Sequence, residues 1–225
     1  MNIKVLNYVN SKIIVTKADI KKIVNTNNAY AYLVLQRLKN KKILKQIIKG
    51  KYTNKSNPYE IATNINPPAY ISLLTASELK GYTEQIINNI QTITNKNKTF
   101  LFENYKFTLI KSKFLFGFEK VDNYFIADDE KLLIDCFLFR KNSGNFNEIF
   151  NIANHSKINK DKIITYLKKI NDQNLIKRIG FMLEKIKHID ISKEFKLDKN
   201  YIFLDTITKQ YKNINTKWRI KYDFD

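Results

Sequence analysis

The chain has 225 residues, with 40 Lys and Arg against 21 Asp and Glu, and its hydrophobic content of 44% is sufficient for a packed core, so general disorder is not expected. A single cysteine, Cys136, excludes a disulfide framework. Because the whole chain has only two histidines in addition, we predict neither a metal site nor a cofactor. No apolar run reaches the ~18 residues that span a bilayer, and the first residues do not resemble a signal peptide, so we expect a soluble cytoplasmic protein without a membrane partner.

The positive charge is concentrated in the first 55 residues. This segment contains thirteen Lys or Arg and one acidic residue, Asp19, so it carries +12 of the net charge of +19. The chain has 36 Lys and only four Arg, and a codon bias towards A and T accounts for part of that surplus. Such a bias does not remove acidic residues, however, and a basic block on one small module is typical of a nucleic-acid-binding domain.

The beginning of the chain predicts two helices joined by a short strand. Residues 2–10 repeat apolar side chains at helical spacing, and the β-branched run 13–15 predicts a brief strand. Thr16, with Asp19 three positions later, resembles a capping box. A second helix is therefore expected to begin there.

A third helix and a hairpin complete this module. The segment 26–28 predicts the end of the second helix and the start of a third, expected over about residues 29–40. Residues 43–53 contain two short β-prone runs around Gly50, which can adopt a positive φ at a hairpin tip. Three helices followed by a basic hairpin predict a winged helix-turn-helix over residues 1–55, although any small three-helix unit shares part of this pattern.

This fold predicts which residues contact DNA. The second helix of the helix-turn-helix pair would enter the major groove with its exposed start near the base edges, where Asn can pair with adenine. The wing tip would contact the backbone or the minor groove, and Arg37 a phosphate. Of Tyr30 and Tyr32, one is expected to pack inward and the other to contact DNA. The predicted DNA-binding residues are Asn27, Asn28, Tyr30, Arg37, Lys41, Lys49, Gly50 and Lys51.

Residues 56–225 predict a larger mixed α/β domain, so the fold class of the whole chain is α+β. Lys55 to Pro58 is interpreted as the junction between the two domains. Helices are expected over residues 70–80, from Asp128 onwards, and near 146–154, 160–170 and 174–187. Strands are expected over residues 90–94, 99–102, 106–110, 114–118, 124–127 and 218–222.

Two segments of this domain carry a resemblance to a known family. Residues 70–86 (YISLLTASELKGYTEQI) contain a short Ser-containing helix followed by Gly-Tyr-Thr-Glu, and residues 114–137 contain an aromatic-Gly-aromatic strand followed by Ala-Asp-Asp-Glu-Lys-Leu-Leu-Ile-Asp. Both resemble AbiEi-type antitoxins and related bacterial and archaeal transcriptional regulators, in which Leu is usual in place of Tyr82 and Pro is common in place of Asp129. With residues 175–186, the closing segment TKWRIKYDFD and the wing, the resemblance covers nearly the whole chain in the same order.

The resemblance implies a DNA-binding transcriptional autorepressor whose second domain, residues 56–225, has an antitoxin function separable from DNA binding. The implied partners are a double-stranded DNA operator and, as functional counterpart, a nucleotidyltransferase-like toxin with which a stable complex is not assumed. A homodimer is left open, as is a plain transcriptional regulator without a toxin.

The motif ADDEKLLID at 127–135 also permits an enzymatic interpretation. Clustered acids beside a Lys could hold Mg²⁺ in a nuclease targeted by the winged helix, which is the alternative function. Three acids at a helix start are, however, favoured by capping and by the helix dipole. We therefore predict a structural role and no catalytic residue, with Lys131 and Asp135 as an ordinary surface pair and Cys136 as a buried thiol.

Arg is retained at three positions of the second domain in a chain that otherwise prefers Lys. Exposed Arg could bind the phosphates of a nucleotide or RNA, or the carboxylates of a protein partner. Arg140, Arg178 and Arg219 are therefore predicted as possible partner contacts. A domain that only dimerises the repressor is the alternative.

Overall fold

The computed structural model describes residues 3–224, which form a mixed α and β fold, as predicted. The helices are α1 (Ile3–Ser11), α2 (Lys17–Val24), α3 (Asn28–Asn40), α4 (Pro58–Asn64), α5 (Leu73–Leu79), α6 (Asp129–Leu138), α7 (Phe146–His155), α8 (Lys160–Ile170) and α9 (Gln173–Lys187). The strands are β1 (Val15–Thr16), β2 (Lys45–Ile48), β3 (Lys51–Thr53), β4 (Tyr70–Ile71), β5 (Asn89–Thr94), β6 (Lys98–Phe102), β7 (Tyr105–Lys111), β8 (Phe118–Val121), β9 (Tyr124–Ala127), β10 (Ile202–Phe203), β11 (Asn213–Asn215) and β12 (Ile220–Tyr222).

The chain divides into two compact units, each of which consists of three separate segments of the sequence. The first unit contains the residues through Ile71 together with 88–115 and 120–125, and the second contains 72–87, 116–119 and the residues from 126 onwards. The first unit therefore contains the N-terminal module and several strands from further along the chain. The boundary after residue 55 stays a prediction.

The N-terminal part of the first unit begins with α1, β1, α2, α3, β2 and β3 in that order. Its small antiparallel sheet has the strand order β1-β3-β2. The predicted capping box is confirmed, because Asp19 donates its backbone N–H to Thr16 Oγ1 and accepts from Thr16 N at 2.7 Å. The core of this part consists of Val5, Val9, Val15, Ile20, Ala31, Leu35, Leu38, Leu44 and Tyr52.

A larger sheet has the strand order β6-β7-β5-β4-β9-β8. Within it β5 pairs parallel with β7 and antiparallel with β4, and β6 and β7 form an antiparallel hairpin. Ile47 of β2 belongs to the same apolar cluster as Ile61, Ile65 and Phe107. One face of the β2–β3 hairpin is thus part of the core of the first unit.

The structure corrects two of the predicted elements. Tyr70 and Ile71 are not helical but form β4, opposite Ile93 and Thr92 of β5, because an aromatic and a β-branched side chain suit a strand that has a partner. The predicted strand 114–118 begins only at Phe118. At Gly117 φ is +71°, and a Cβ there would lie 2.7 Å from the ring of Tyr166, so this position requires glycine.

Helix α4 was not anticipated from the sequence. Asn57 caps it by accepting the backbone N–H of Tyr59 at 2.9 Å, and Pro58 occupies its first turn. Asn followed by Pro is a recognised start of a helix, so the sequence signal for α4 lies within the segment 55–58 that also suggests a junction.

The second unit combines α5–α9 with a three-stranded sheet of order β10-β12-β11. The predicted helices near 146–154, 160–170 and 174–187 are confirmed as α7, α8 and α9. Trp218 is completely buried, and a Cβ at Gly180 of α9 would lie 2.2 Å from its indole ring. The helix and the indole can therefore approach this closely only because residue 180 is glycine.

Candidate nucleic-acid interface

The first unit carries most of the positive charge of the chain. It contains nineteen Lys or Arg and four acidic residues, a net +15 of the total of +19. Of the thirteen basic residues within 1–55, eleven are exposed, and only Lys51 and Lys55 are half-buried. The one acid of that segment, Asp19, is held in the helix cap. The basic residues therefore form a solvated surface with little internal neutralisation.

The start of α3 uses one predicted DNA-binding side chain as its cap. Asn27 Oδ1 accepts the backbone N–H of Tyr30 at 2.9 Å. Recognition of adenine by Asn needs both the amide oxygen and the amide nitrogen, so capping competes with base reading by Asn27. Asn28 and Tyr30 are exposed. Of the two asparagines, Asn28 is therefore better placed than Asn27 to contact a base edge.

Two grooves flank the buried stripe of α3 on opposite sides. The hairpin-side groove, of about 370 Å³, is lined by Lys17, Tyr32, Leu35, Gln36, Lys39, Gln46, Lys49, Gly50 and Tyr52. The α1-side groove, of about 240 Å³, is lined by Val5, Val24, Tyr30, Val34, Arg37, Leu38 and Lys41. The predicted site residues are therefore divided, with Tyr30, Arg37 and Lys41 together on one flank and Lys49 and Gly50 on the other.

The hairpin-side groove presents amide, hydroxyl and ammonium groups. Lys39 Nζ donates to Gln46 Oε1 at 3.0 Å across from α3 to β2. Burial raises the pKa of the Tyr52 phenol, with a smaller contribution from Tyr32, so this hydroxyl keeps its proton. Among the described residues that line this groove, none is acidic. Such a set can donate to phosphate oxygens and can both donate to and accept from base edges.

The α1-side groove has an apolar floor and a basic rim. Arg37 and Lys41 are exposed at its edge, whereas Val5 and Leu38 beneath them are buried. Its geometry suits contact with an anion at the periphery more than recognition of a base edge.

The two aromatic residues of α3 behave differently from the prediction. Tyr30 is 42% exposed and Tyr32 is 52% exposed, so the expectation that one of them packs inward is wrong. The buried stripe of α3 consists of Ala31, Leu35 and Leu38. Tyr30 and Tyr32 lie next to this stripe on opposite sides, so both rings stay at the edge of the helix and are accessible to solvent.

The tip of the β2–β3 hairpin is open to solvent. Gly50 has φ +81° with no atom within 4 Å of a Cβ built there, which confirms its role in the turn. Lys49 is exposed. Lys51 is half-buried and donates from Nζ to the carbonyl oxygen of Ile65, so it is partly engaged within the first unit. Its role as a DNA contact stays a prediction.

The three arginines of the second unit are held by internal contacts. Arg140 is only 7% exposed and forms a bidentate pair with Asp205, from Nε at 2.9 Å and Nη2 at 3.1 Å. Arg178 and Arg219 are half-buried and donate to backbone carbonyls, Arg178 to that of Phe203 at 3.0 Å. The premise that they are exposed is wrong for Arg140 and only partly met for the other two. Retention of Arg here is explained by its planar, multiply donating head.

The acidic start of α6 has the structural role that was predicted for it. Asp128 accepts the backbone N–H of Lys131 at 2.8 Å as the helix cap. Asp129 accepts the backbone N–H of Lys157 at 2.7 Å, and Glu130 that of Asn159 at 2.7 Å. These carboxylates therefore act as hydrogen-bond acceptors for backbone N–H groups in the first turn of α6 and in the segment before α8.

A tyrosine completes the Asp128 contacts. Tyr166 donates its hydroxyl to Asp128 Oδ2 at 2.8 Å. Burial, together with this carboxylate, raises the pKa of Tyr166 to about 12, so the hydroxyl remains a donor at neutral pH.

The prediction that Lys131 and Asp135 form a surface pair is wrong. Both side chains are completely buried and in contact through Lys131 Nζ and Asp135 Oδ1. Ser72 Oγ also donates to Asp135 Oδ2 at 2.9 Å. Helix α6 contacts α5, α7, α8 and α9, so the side that would face solvent in an isolated helix is covered. Cys136 is buried, as predicted, and burial raises its pKa.

Sequence reasoning missed most of the hairpin-side groove. Tyr32 was weighed against Tyr30 as a DNA contact, and the lining residues not predicted are Lys17, Leu35, Gln36, Lys39, Gln46 and Tyr52. Gln36 and Lys39 could have been selected, because they lie on the same side of α3 as Asn28 at helical spacing. Lys17, Gln46 and Tyr52 come from other elements, and only tertiary packing brings them to α3.

Within residues 3–224, no group of three or more His, Cys, Asp or Glu side chains is arranged to hold a metal ion. No helix in the same range is long and apolar enough to cross a membrane. No family model matches the chain, and a comparison with curated proteins finds no match.

Proposed function

We propose that the first unit contains a winged helix-turn-helix that binds double-stranded DNA, and that the protein represses transcription from its own operator. The order α1-β1-α2-α3-β2-β3, with a hairpin directly after the third helix, matches the order expected of a winged helix and supports this proposal. In this arrangement α3 would lie in the major groove of the duplex. The β2–β3 hairpin would lie along the backbone or the adjacent minor groove.

The observation that carries this proposal is the composition of the hairpin-side groove. Gln36 on α3 lies beside the ammonium groups of Lys17, Lys39 and Lys49, and Gln46 on β2, whose Oε1 accepts from Lys39 Nζ, lines the same groove. Amide side chains pair with adenine through two hydrogen bonds, and Lys neutralises phosphates. A surface with both groups and a strong positive charge is suited to a duplex.

The two flanks of α3 have different roles in this proposal. Asn28 and Gln36 read base edges, and Asn27 caps the helix. Arg37 and Lys41, which lie on the α1 side, contact phosphates and hold the protein in register. Lys49 contacts the backbone from the hairpin tip.

This division predicts different effects for two alanine variants. Gln36→Ala is expected to relax sequence preference at one position of the operator, by about 1–3 kcal/mol, because a base contact is lost. Arg37→Ala is expected to weaken binding to all sequences alike, because phosphates carry no sequence information. Selection from a randomised duplex library, followed by titration of individual duplexes, measures both effects.

Lys141→Ala is the matched charge control, since Lys141 is an exposed cation of the second unit. It should leave affinity and preference unchanged. If Gln36→Ala and Arg37→Ala both weakened binding without altering sequence preference, base reading by α3 would be refuted.

We also propose that the protein is the antitoxin of a nucleotidyltransferase-like toxin, with this function in residues 56–225. The support is the resemblance of residues 70–86 and 114–137 to AbiEi-type antitoxins. A fragment 56–225 is unsuitable as a test, because Ile47 and Ile48 pack in one cluster with Ile61 and Ile65. The full chain with an impaired DNA-binding surface is the appropriate reagent.

Co-expression with the neighbouring toxin, both from promoters that the protein does not control, tests the antitoxin proposal. The full-length variant Gln36→Ala/Lys39→Ala/Lys49→Ala is expected to protect growth as well as the wild type does, because the altered residues all lie in the first unit. Protection by the wild type and not by the folded variant would show that the DNA-binding surface is required. Absence of protection by either would refute the antitoxin function.

A further inference from the structure

A second lysine-lined cavity lies on the other side of the β2–β3 hairpin. It has a volume of about 260 Å³, and four lysines line it, namely Lys49, Lys51, Lys96 and Lys98. Ile48, Phe100 and Leu109 contribute apolar side chains. Lys96 lies in the connection between β5 and β6, Lys98 is the first residue of β6, and both belong to the same compact unit as the hairpin. We call these two residues the β5–β6 lysine pair.

The segment 95–98, which carries the β5–β6 lysine pair, is held by hydrogen bonds at two points. Asn66 Nδ2 donates to Asn95 Oδ1 at 2.8 Å, just before Lys96. Asn97, between the two lysines, accepts the backbone N–H of Lys111 at 2.6 Å through Oδ1. The side chains of Lys96 and Lys98 are exposed. The backbone that carries them is held in place by the hydrogen bonds of Asn95 and Asn97.

The charges around this cavity are not balanced by nearby acids. Among the described lining residues there is no Asp or Glu. Burial lowers the pKa of Lys51, and repulsion by Lys96 and Lys98 lowers it further. Four like charges brought together on a folded surface repel one another, and a polyanion that lies across them removes this repulsion.

Lys49 lines both this cavity and the hairpin-side groove. The basic surface therefore continues from α3, over the hairpin tip, to the β5–β6 connection. Successive phosphates of a nucleic-acid backbone form a continuous track of negative charge, which matches this arrangement better than a single small anion does.

We propose that the β5–β6 lysine pair contacts the phosphodiester backbone of the same DNA duplex, beyond the hairpin, and so extends the contact outside the winged helix. This inference rests on the proposed function of the first unit. It adds a sequence-independent contact from the β-sheet part of the unit. The bound duplex must accordingly reach further past the hairpin than a winged helix alone requires.

The test is a salt titration of duplex binding with Lys96→Ala/Lys98→Ala in the full chain. Each phosphate contact contributes roughly −0.9 to the slope of log affinity against log salt, so loss of two should make the slope about 1.8 less steep. Affinity should fall for all sequences alike, with no change of preference. Circular dichroism checks the fold, and Lys96→Gln/Lys98→Gln is the second variant should the alanine pair fold poorly.

Lys106→Ala/Lys120→Ala is the matched control. These two lysines are exposed on β7 and β8 in the same unit, and their removal changes the net charge equally. The control is expected to keep the wild-type slope. A β5–β6 variant with the wild-type slope, or a control that loses as much, would overturn the inference while leaving the DNA-binding proposal intact.

Two further results separate the remaining possibilities. If the wild-type chain binds no duplex, the proposed function and this inference both fail. If inorganic phosphate at millimolar concentration protects the wild type against heat and the β5–β6 variant not at all, and the slope is unchanged, the cavity binds a small anion instead of DNA.

Discussion

Asp135→Ala is expected to lower the free energy of unfolding by about 3–5 kcal/mol, because it removes the carboxylate that contacts the buried ammonium of Lys131. Both side chains are completely inaccessible to solvent, and the hydrogen bond from Ser72 to Asp135 is lost as well. A buried charge deprived of its partner is costly, whereas the pair itself contributes little beyond an apolar pair of similar volume. Urea unfolding followed by circular dichroism measures the loss.

Two controls make this prediction specific to the buried pair. Lys131→Met/Asp135→Leu removes both charges and should recover most of the stability. Asp223→Ala breaks a contact of 3.6 Å with Lys212, whose side chain is 81% exposed, and should change stability by less than about 1 kcal/mol. Equal losses for Asp135→Ala and the double variant would mean that volume, and not charge, governs the site.

The affinity for duplex DNA is expected to fall by about a thousandfold between 50 and 200 mM monovalent salt. About six phosphate contacts give a log–log slope near −5, and a fourfold change in salt then removes roughly three orders of magnitude. The exposed basic residues of the first unit, with only four acids among them, are numerous enough to make these contacts. Fluorescence anisotropy with a labelled duplex measures the slope.

The matched charge control for this slope is Lys141→Ala, which should leave it unchanged, since Lys141 lies in the second unit. An affinity that does not vary with salt would be incompatible with binding through lysines to phosphates. It would remove the electrostatic basis of the proposed function.

Elements defined by local chemistry could be predicted from the sequence. The capping box of Thr16 and Asp19 involves residues three positions apart, and the turn at Gly50 depends on one residue. Helix α8 has the limits predicted for it, its buried apolar residues repeat at helical spacing, and Asn159 caps it. In these cases the determining interactions lie within a few positions of one another.

Elements that depend on distant partners could not be predicted. Tyr70 and Ile71 form a strand because β5 lies beside them, and Lys131 and Asp135 are buried because other helices cover α6. Helical spacing alone would place the same two charges on a surface. Packing against neighbours overrides such local preferences.

The candidate site was predicted only in part for the same reason. The sequence indicated α3 and the hairpin tip, but not that Arg37 and Lys49 lie on different flanks of α3. Which flank faces the hairpin is decided by where β2 and β3 pack. The contribution of Lys96 likewise depends on the fold of the first unit, since it is more than forty residues from the hairpin in sequence.

The most direct test of DNA binding by α3 and the β2–β3 hairpin is an NMR titration of the full-length chain with an operator duplex, following the backbone amides. The proposal predicts that the largest shifts occur in α3 and the hairpin, with Lys17 at the start of α2, and that residues 126–224 are little affected. Shifts confined to residues 126–224, or no shifts at low salt with excess duplex, would contradict it.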